Sequence, residues 1–503
     1  MLTTPSEVSP RLEETLDPED WAALRRLGHQ MVDDMLEHLR TVRDRAVWQK
    51  PTAHARAGIH EPLPRAGQGE ERAYADFREH VLPFATGNIH PRFWGWVMGT
   101  GTPFTALTEM LAAGFNPNVG GFDDGASLVE DQVLDWFKEV MGLPAESSGL
   151  FVSGGSMANL VGLAVARHAR APFDVRQKGQ GAAPQPMTVY ASSEVHSSVP
   201  KAMELLGLGR DALRLVAVDS EYRIDLVALE RAIQEDRRAG HLPIAVVGSA
   251  GTVNTGAIDD LAALAALARR ERLHFHVDGA IGALAALSPK LRPLLRGMEE
   301  ADSLAFDPHK WGHFPYEAGC VLVRDPAAHR AALSTAAAYT APLHGGPASR
   351  DERFADRGPQ LSRGFKALKV WMGLKAVGTD RLGRLIRQNV EQALHLAELV
   401  RTQGQLELMA EGPLNIVCFR YRGTGDPKDL DALNRAVLVE LQESGVAVPS
   451  GTVLGGRFAI RVCINNHRTR KEDLQLLVDE IVRRGRCRSR TDGPPSPGPK
   501  DKG

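Results

Sequence analysis

From Met187 onward the sequence alternates short apolar runs with amphipathic ones, and this alternation limits the folds open to it more than any other feature. Thr188 to Ala191, Leu213 to Val218, Ile244 to Gly248, His274 to Val277 and Ser303 to Phe306 have the length and apolar content of strands. Between them, Leu226 to Arg238 and Leu261 to Arg270 repeat apolar residues at helical spacing. Such alternation predicts an α/β fold, a mainly parallel sheet with helices on both faces. Ligands of these sheets bind outside the carboxyl ends of the strands. His196, Thr252, Asp278 and Lys310 all fall just past predicted strand ends, which makes them the first candidates for a site.

Three stretches supply chemistry. Ser303 to Phe306 runs into Asp307 and Pro308, and the proline stops the strand by removing a backbone donor. His309, Lys310 and Trp311 then stand together at its exit. A lysine in such a semi-apolar corner is poorly hydrated as an ammonium, so a lowered pKa and an amine able to attack an aldehyde are expected. A surface lysine after a turn fits the same residues. Leu273 to Ala280 reads as a buried strand ending in the carboxylate of Asp278, with Gly279 and Ala280 leaving space for a flat ring. Pyridoxal 5'-phosphate (PLP) withdraws electrons well only while its ring nitrogen is protonated, and a carboxylate facing that nitrogen keeps it so. Such a charge-assisted hydrogen bond contributes about 1.5–3 kcal/mol. Strand alternation puts His276 on the face of Asp278, placed to orient it. Taken singly, Asp278 also fits a strand-end turn or a helix cap. Finally, Leu150 to Val152 leads through Ser153-Gly154-Gly155-Ser156 into a helical pattern ending near Arg167. A glycine-bearing loop at a helix start presents free N–H groups and a positive dipole end, which suit phosphate. Neither the dinucleotide fingerprint nor the nucleotide-triphosphate loop is spelled there.

The order of these segments, with Ser193-Glu194-Val195-His196-Ser197-Ser198 between the first two, resembles the group II PLP-dependent amino-acid decarboxylases. These are relatives of aromatic-L-amino-acid decarboxylase within the aspartate-aminotransferase fold type, PLP fold type I. The resemblance runs from about His90 to about Thr469. It implies decarboxylation of an L-amino acid, aromatic first, to a primary amine and carbon dioxide, with PLP on Lys310. It further implies His196 stacked on the ring near the substrate carboxylate, Asp278 at the ring nitrogen, and Gly155, Ser156 and His309 at the phosphate. Thr252 and Ala280 are expected as further cofactor contacts, and Tyr339, on a loop, as the group that returns a proton to Cα. His90, Phe93, Trp94 and Phe122 are expected along the substrate pocket, with acidic substrates admitted if Arg92 faces it. The sequence departs from the family pattern at Phe122 to Ala126, at Val253 and at Gly364. Arg461 does not separate decarboxylases from aminotransferases. An aminotransferase, an aldehyde-forming oxidative decarboxylase and a non-catalytic dimeric interaction protein stand as alternatives; relatives that make aldehydes carry phenylalanine where Tyr339 stands.

Composition narrows the rest. A net charge of −2 gives no reason to expect nucleic acid or an anionic membrane as a partner. Cys320, Cys418, Cys463 and Cys487 show neither metal spacing nor a disulfide framework, which fits a reducing cytoplasm. No signal peptide and no bilayer-length apolar run is expected. Residues 1–85 read as a helical and linker segment serving a homodimer, with disorder to about Leu16. A helix starts at Asp17-Pro18, carries an apolar stripe from Trp21 to Val42, and gives way to an extended linker from Pro51 to Glu70. Residues 86–375 read as the large cofactor domain, 376–484 as a small α+β domain, and 485–503 as a disordered tail. Pro326 to Ser349 reads as a mobile loop.

Overall fold

The structure, a computed structural model, describes residues 15–335, 345–423 and 426–491. The chain forms two compact units, one of residues up to Arg45 together with Lys50–Ala85, the other of Ala46–Gln49 together with Thr86 onward.

In the first unit a helix spans Trp21–Arg40. Its cap is Asp20, three residues beyond the expected start, because the Asp20 carboxylate accepts from the otherwise unpaired N–H groups of Ala22 and Ala23. Leu27 is the helix's buried residue; Trp21 and Met31 are 65% and 45% exposed and Leu24 is exposed too, so part of the stripe faces outward. The stretch expected to be an extended linker contains a helix, Ala53–Ile59, capped by the Thr52 hydroxyl on the Ala55 N–H. Three alanines carry it, and alanine is the strongest helix former. A second helix, Glu70–Asp76, continues into a π turn over Phe77–Val81.

The second unit is built on a seven-stranded sheet of β1 (Ser148–Val152), β2 (Met187–Ser192), β3 (Leu213–Val216), β4 (Leu242–Ser249), β5 (His274–Asp278), β6 (Ser303–Phe306) and β7 (Gly319–Val323). Its spatial order is β1-β7-β6-β5-β4-β2-β3. Strands β3, β2, β4, β5 and β6 pair parallel, and β7 runs antiparallel between β6 and β1. The expected α/β sheet is therefore present. The strands β5, β6 and β7 are buried along their whole length, as sheets covered on both faces require. The helix Gly155–Arg170 packs across β4 to β7. Gly162 makes this approach close, since a Cβ there would sit 2.5 Å from the His276 ring.

A four-stranded antiparallel sheet follows, ordered β10-β11-β9-β8 from β8 (Leu406–Glu411), β9 (Ile416–Tyr421), β10 (Ser450–Leu454) and β11 (Arg457–Cys463). The helix Thr379–Thr402 lies against β8 and β9. The tail expected to be disordered from Gly485 is instead helical, in Lys471–Thr491, as far as the described residues go. Gly485 sits on the Tyr421 ring, so this part of the helix has a packing partner. Within the stretch read as a mobile loop, Pro326–Leu333 is a helix capped by Asp325. No described helix is long and apolar enough to cross a membrane.

Candidate active site

The carboxyl ends of β2, β4, β5 and β6 open onto a cavity of about 280 Å³. Trp96, Val97, His196, Thr252, Asp278, Ala280, Ile281, Lys310 and Arg461 are among its lining residues. His196, Thr252, Asp278, Ala280 and Lys310, chosen from sequence, are thus brought together. A larger cleft of about 950 Å³, lined by Tyr222, Asp259, Leu294 and Glu411, has neither lysine nor histidine among its described lining.

Asp278 is the last residue of β5 and almost wholly buried. One of its oxygens accepts from Asn159 Nδ2 at 2.8 Å and the other from the Ala280 N–H at 3.1 Å. Asn159 is in turn fixed on both sides. Its Oδ1 lies 2.9 Å from His276 Nε2, and its Nδ2 also donates to Ser198 Oγ at 2.9 Å. His276 Nδ1 and His274 Nε2 both meet Ser303 Oγ at 2.8 Å. His276 therefore orients Asp278 through Asn159, rather than directly as strand alternation suggested. Burial drives the His276 pKa down to about 4 and that of His274 to about 3. Both rings are neutral, so the hydrogen-bonded network behind Asp278 carries no positive charge of its own.

On the other side of Asn159, Ser198 Oγ lies 2.8 Å from His196 Nδ1. Burial lowers the His196 pKa against the pull of the Asp278 charge, so this imidazole also stands neutral at the cavity wall. Thr252 lies past β4, its hydroxyl accepting from the Ala257 N–H at 3.1 Å.

Lys310 corrects one expectation. Burial pulls its pKa down, but Asp307, with Oδ2 at 2.7 Å from Nζ, pushes it up by charge and hydrogen bonding, and the net shift is upward. The free amine is held as an ammonium beside a buried carboxylate. Asp307 was quoted in the sequence motif without a role; the signal for one was its position three residues before the lysine.

The start of the helix Gly155–Arg170 and His309, both expected at a phosphate, are not among the described lining of this cavity. His309 is buried, with Nδ1 accepting from the Ala318 N–H at 3.1 Å. At Gly155 a Cβ would come within 2.8 Å of Asp307 Oδ2 and 3.2 Å of Ala280 Cβ, so the loop forms a cradle that a side chain would fill. Ser156 is exposed in the first helical turn. We expect Gly155→Val to weaken PLP binding at least about tenfold, read by titrating cofactor into the stripped protein.

The substrate-pocket residues come out differently. Trp94 is in the core beside β11, its indole N–H donating to Thr469 Oγ1 at 3.2 Å. Phe93 packs against Val47 and Val448. His90 is buried with Nδ1 accepting from the Arg92 N–H, and Phe122 is exposed away from the cavity. Arg92 donates to the Val446 carbonyl and does not line the cavity. The aromatic at the wall is Trp96, two residues on. It sits in a bend outside any strand, with a positive φ of 51°, so its facing does not follow from those of Phe93 and Trp94. Tyr339 lies outside the described residues.

Arg461, left open by the sequence, reaches from β11 into the cavity wall. Its Nε donates to the carbonyls of Val253 (2.8 Å) and Asn254 (3.2 Å), and its Nη1 to that of Trp96 (2.8 Å).

The residues fit PLP. A helix start can hold a dianionic phosphate, a fixed carboxylate faces the place of a ring nitrogen, small residues leave room for a flat ring, and a lysine is within reach of the same space. A model of the pyridoxal-dependent decarboxylase conserved domain matches residues 52–422. The chain belongs to this family. Among its relatives, the aromatic-L-amino-acid decarboxylase of Bacillus atrophaeus is 32% identical over 467 residues, 91% of this chain and 94% of that one. The L-2,4-diaminobutyrate decarboxylase of Rhizobium meliloti is 32% identical over 429 residues, 84% and 83% of the two chains. A crystal structure of Oryza sativa TDC with PLP and tryptamine matches at a TM-score of 0.87 and 26% identity, over 94% of this decarboxylase and 100% of that chain. The fold is that of the PLP-dependent decarboxylases, and the chain is a PLP-dependent carboxy-lyase.

Asn159, which sequence reasoning passed over, is expected to matter to it. Asn159→Ala removes one charge-assisted bond to Asp278, about 1.5–3 kcal/mol, and should lower kcat about 10- to 100-fold while cofactor stays attached. Turnover alongside cofactor content checks this.

Proposed function

We propose that the enzyme decarboxylates an aromatic L-amino acid to its primary amine and carbon dioxide, and that it does so as a homodimer. The observation that carries the substrate class is the wall of the cavity beyond Lys310. Trp96, Val97 and Ile281 offer apolar surface there, and Asp278, already engaged by Asn159, is the one acidic residue of the described lining. A cationic side chain such as that of diaminobutyrate would lack a counter-charge, whereas an aromatic one would bury its face.

Bound in this cavity, PLP supplies the electron sink for the pair released when the Cα–carboxylate bond breaks. Lys310, at the wall of the same cavity, would hold the cofactor. Asp278, immobilised by Asn159 and the Ala280 N–H, keeps a proton on the ring nitrogen. His196, neutral and fixed by Ser198, covers the ring and orients the substrate carboxylate. Gly155, Ser156 and His309 grip the phosphate, and Thr252 and Ala280 border the cofactor. Tyr339 is our candidate for returning a proton to Cα, in keeping with simple decarboxylation; Tyr339→Phe should divert turnover toward aldehyde and ammonia. The outward-facing part of the stripe on Trp21–Arg40 supports the homodimer, which a monomeric mass by light scattering at micromolar concentration would refute. The buried, unpaired Cys320, Cys418 and Cys463 accord with a cytoplasmic setting.

The test is a screen of L-amino acids for carbon dioxide release with and without added PLP, counting amine, ammonia, peroxide and keto acid. Stoichiometric amine from tryptophan, tyrosine, phenylalanine or dihydroxyphenylalanine is expected. Keto acid, or ammonia with peroxide, at the turnover rate would replace this reading by transamination or oxidative decarboxylation.

A further inference from the structure

The first unit carries a group of side chains that the decarboxylation does not use. His54, Glu79 and His80 each place an imidazole nitrogen or a carboxylate oxygen within 4.8 Å of the other two. His54 comes from the helix Ala53–Ile59, Glu79 and His80 from the π turn Phe77–Val81. We propose that these three side chains bind a divalent cation of the zinc class and so clip the helix to the turn.

Several independent features point the same way. His80 is only 7% exposed, yet its Nδ1 has no hydrogen-bond partner among the described residues. A buried polar nitrogen left unpaired is destabilising, and a cation bound by His80 supplies the partner the ring lacks. Space for the ring is made by Gly58, one turn after His54, where any side chain would overlap the His80 imidazole. The two imidazoles meet edge to face with centroids 5.1 Å apart, and His54 Nε2 already lies 2.8 Å from Glu79 Oε1. Glu79 and His80 both lie in a π turn, a form frequent at functional sites.

Two imidazoles and one carboxylate are a zinc donor set that leaves a fourth position for water. Tetrahedral bonds of about 2.0–2.1 Å put ligand atoms about 3.3 Å apart. The side chains of His54 and Glu79 are largely exposed and have room to close by that amount. The site needs no residue of the catalytic cavity.

The experiment uses the full-length holoenzyme, treated with chelator, dialysed and titrated with zinc chloride by calorimetry. Cobalt chloride serves as a second probe, because a tetrahedral site gives cobalt an intense visible absorption at wavelengths beyond the bands of PLP. One zinc per chain is expected, with binding weakened about tenfold or more in His54→Gln and in Glu79→Gln. Both positions are exposed, so zinc-free melting temperatures should match the parent, and zinc should raise the parent's melting temperature but not that of the variants. Gly58→Val should lose the cobalt spectrum by displacing His80. Equal zinc affinity in parent, His54→Gln and Glu79→Gln, or no zinc uptake by the parent, would overturn the proposal.

Discussion

Replacing Lys310 by alanine is expected to lower kcat by about four orders of magnitude or more, since no other amine is among the cavity's described lining to anchor an aldehyde cofactor. The same substitution has a second, separable effect. Asp307 is 1% exposed, and Lys310 Nζ at 2.7 Å is its counter-charge. Deleting the amine strands a buried carboxylate, which costs about 3–5 kcal/mol. The cofactor-free Lys310→Ala protein should therefore melt below the cofactor-free parent. Adding Asp307→Asn should restore most of the loss in stability and none of the activity. Urea denaturation of the stripped proteins, beside carbon dioxide release from the loaded ones, checks both halves. Full stability in Lys310→Ala would show that the pair does not carry the charge balance described.

Acid is expected to unfold the protein well above the pH range where carboxylates usually protonate. Burial holds the pKa values of His274, His276 and His329 at about 3, 4 and 3, against 6.5 for a free imidazole. A base with a depressed folded pKa contributes stability that is present above its unfolded pKa and lost as pH falls below it. Between pH 7 and pH 5 each of the three forfeits about 2 kcal/mol, or about 6 together. Asp259 opposes them. Burial raises its pKa to about 6, so its contribution is greatest in acid and returns about 1.4 kcal/mol over the same interval. The net loss from these four groups, about 4–5 kcal/mol, is large beside a total of about 5–15 kcal/mol for a typical protein, and His467, held at about 4 by burial, adds to it. Urea midpoints measured through this range should fall steeply, and His274→Asn should flatten the slope by about one proton. A profile that is level from pH 7 to pH 5 would exclude neutral buried imidazoles at these positions.

How much of this was legible in the sequence depended on how local the signal was. The strands bearing His196, Thr252, Asp278 and Lys310 were found to within two residues at most ends, because apolar runs bounded by turn residues are a local pattern. The antiparallel β7 was not assigned, since pairing direction is set by neighbours distant in sequence. The resemblance implies Trp94 along the pocket, whereas Trp94 lies in the core and Trp96 lines the cavity. Which of two nearby aromatics faces it depends on a bend with a positive φ that the sequence does not spell. The lysine's upward pKa shift was missed for a related reason. Desolvation can be guessed from a hydrophobic context, but the opposing term needs the Asp307 oxygen at its actual distance. Asn159 shows the same limit, its value lying wholly in partners that belong to β5 and to the segment after β2.

The grip of Arg461 on the carbonyls of Trp96, Val253 and Asn254 means that two lengths of chain bordering the cavity are moored to one post on a different sheet. The tether grasps only main-chain oxygens and is blind to the side chains of Trp96 and Val253, whereas the Asn254 amide is itself held between Glu194 and Thr452. A different side chain at position 96 or 253 would therefore change the lining of the cavity without loosening the tether.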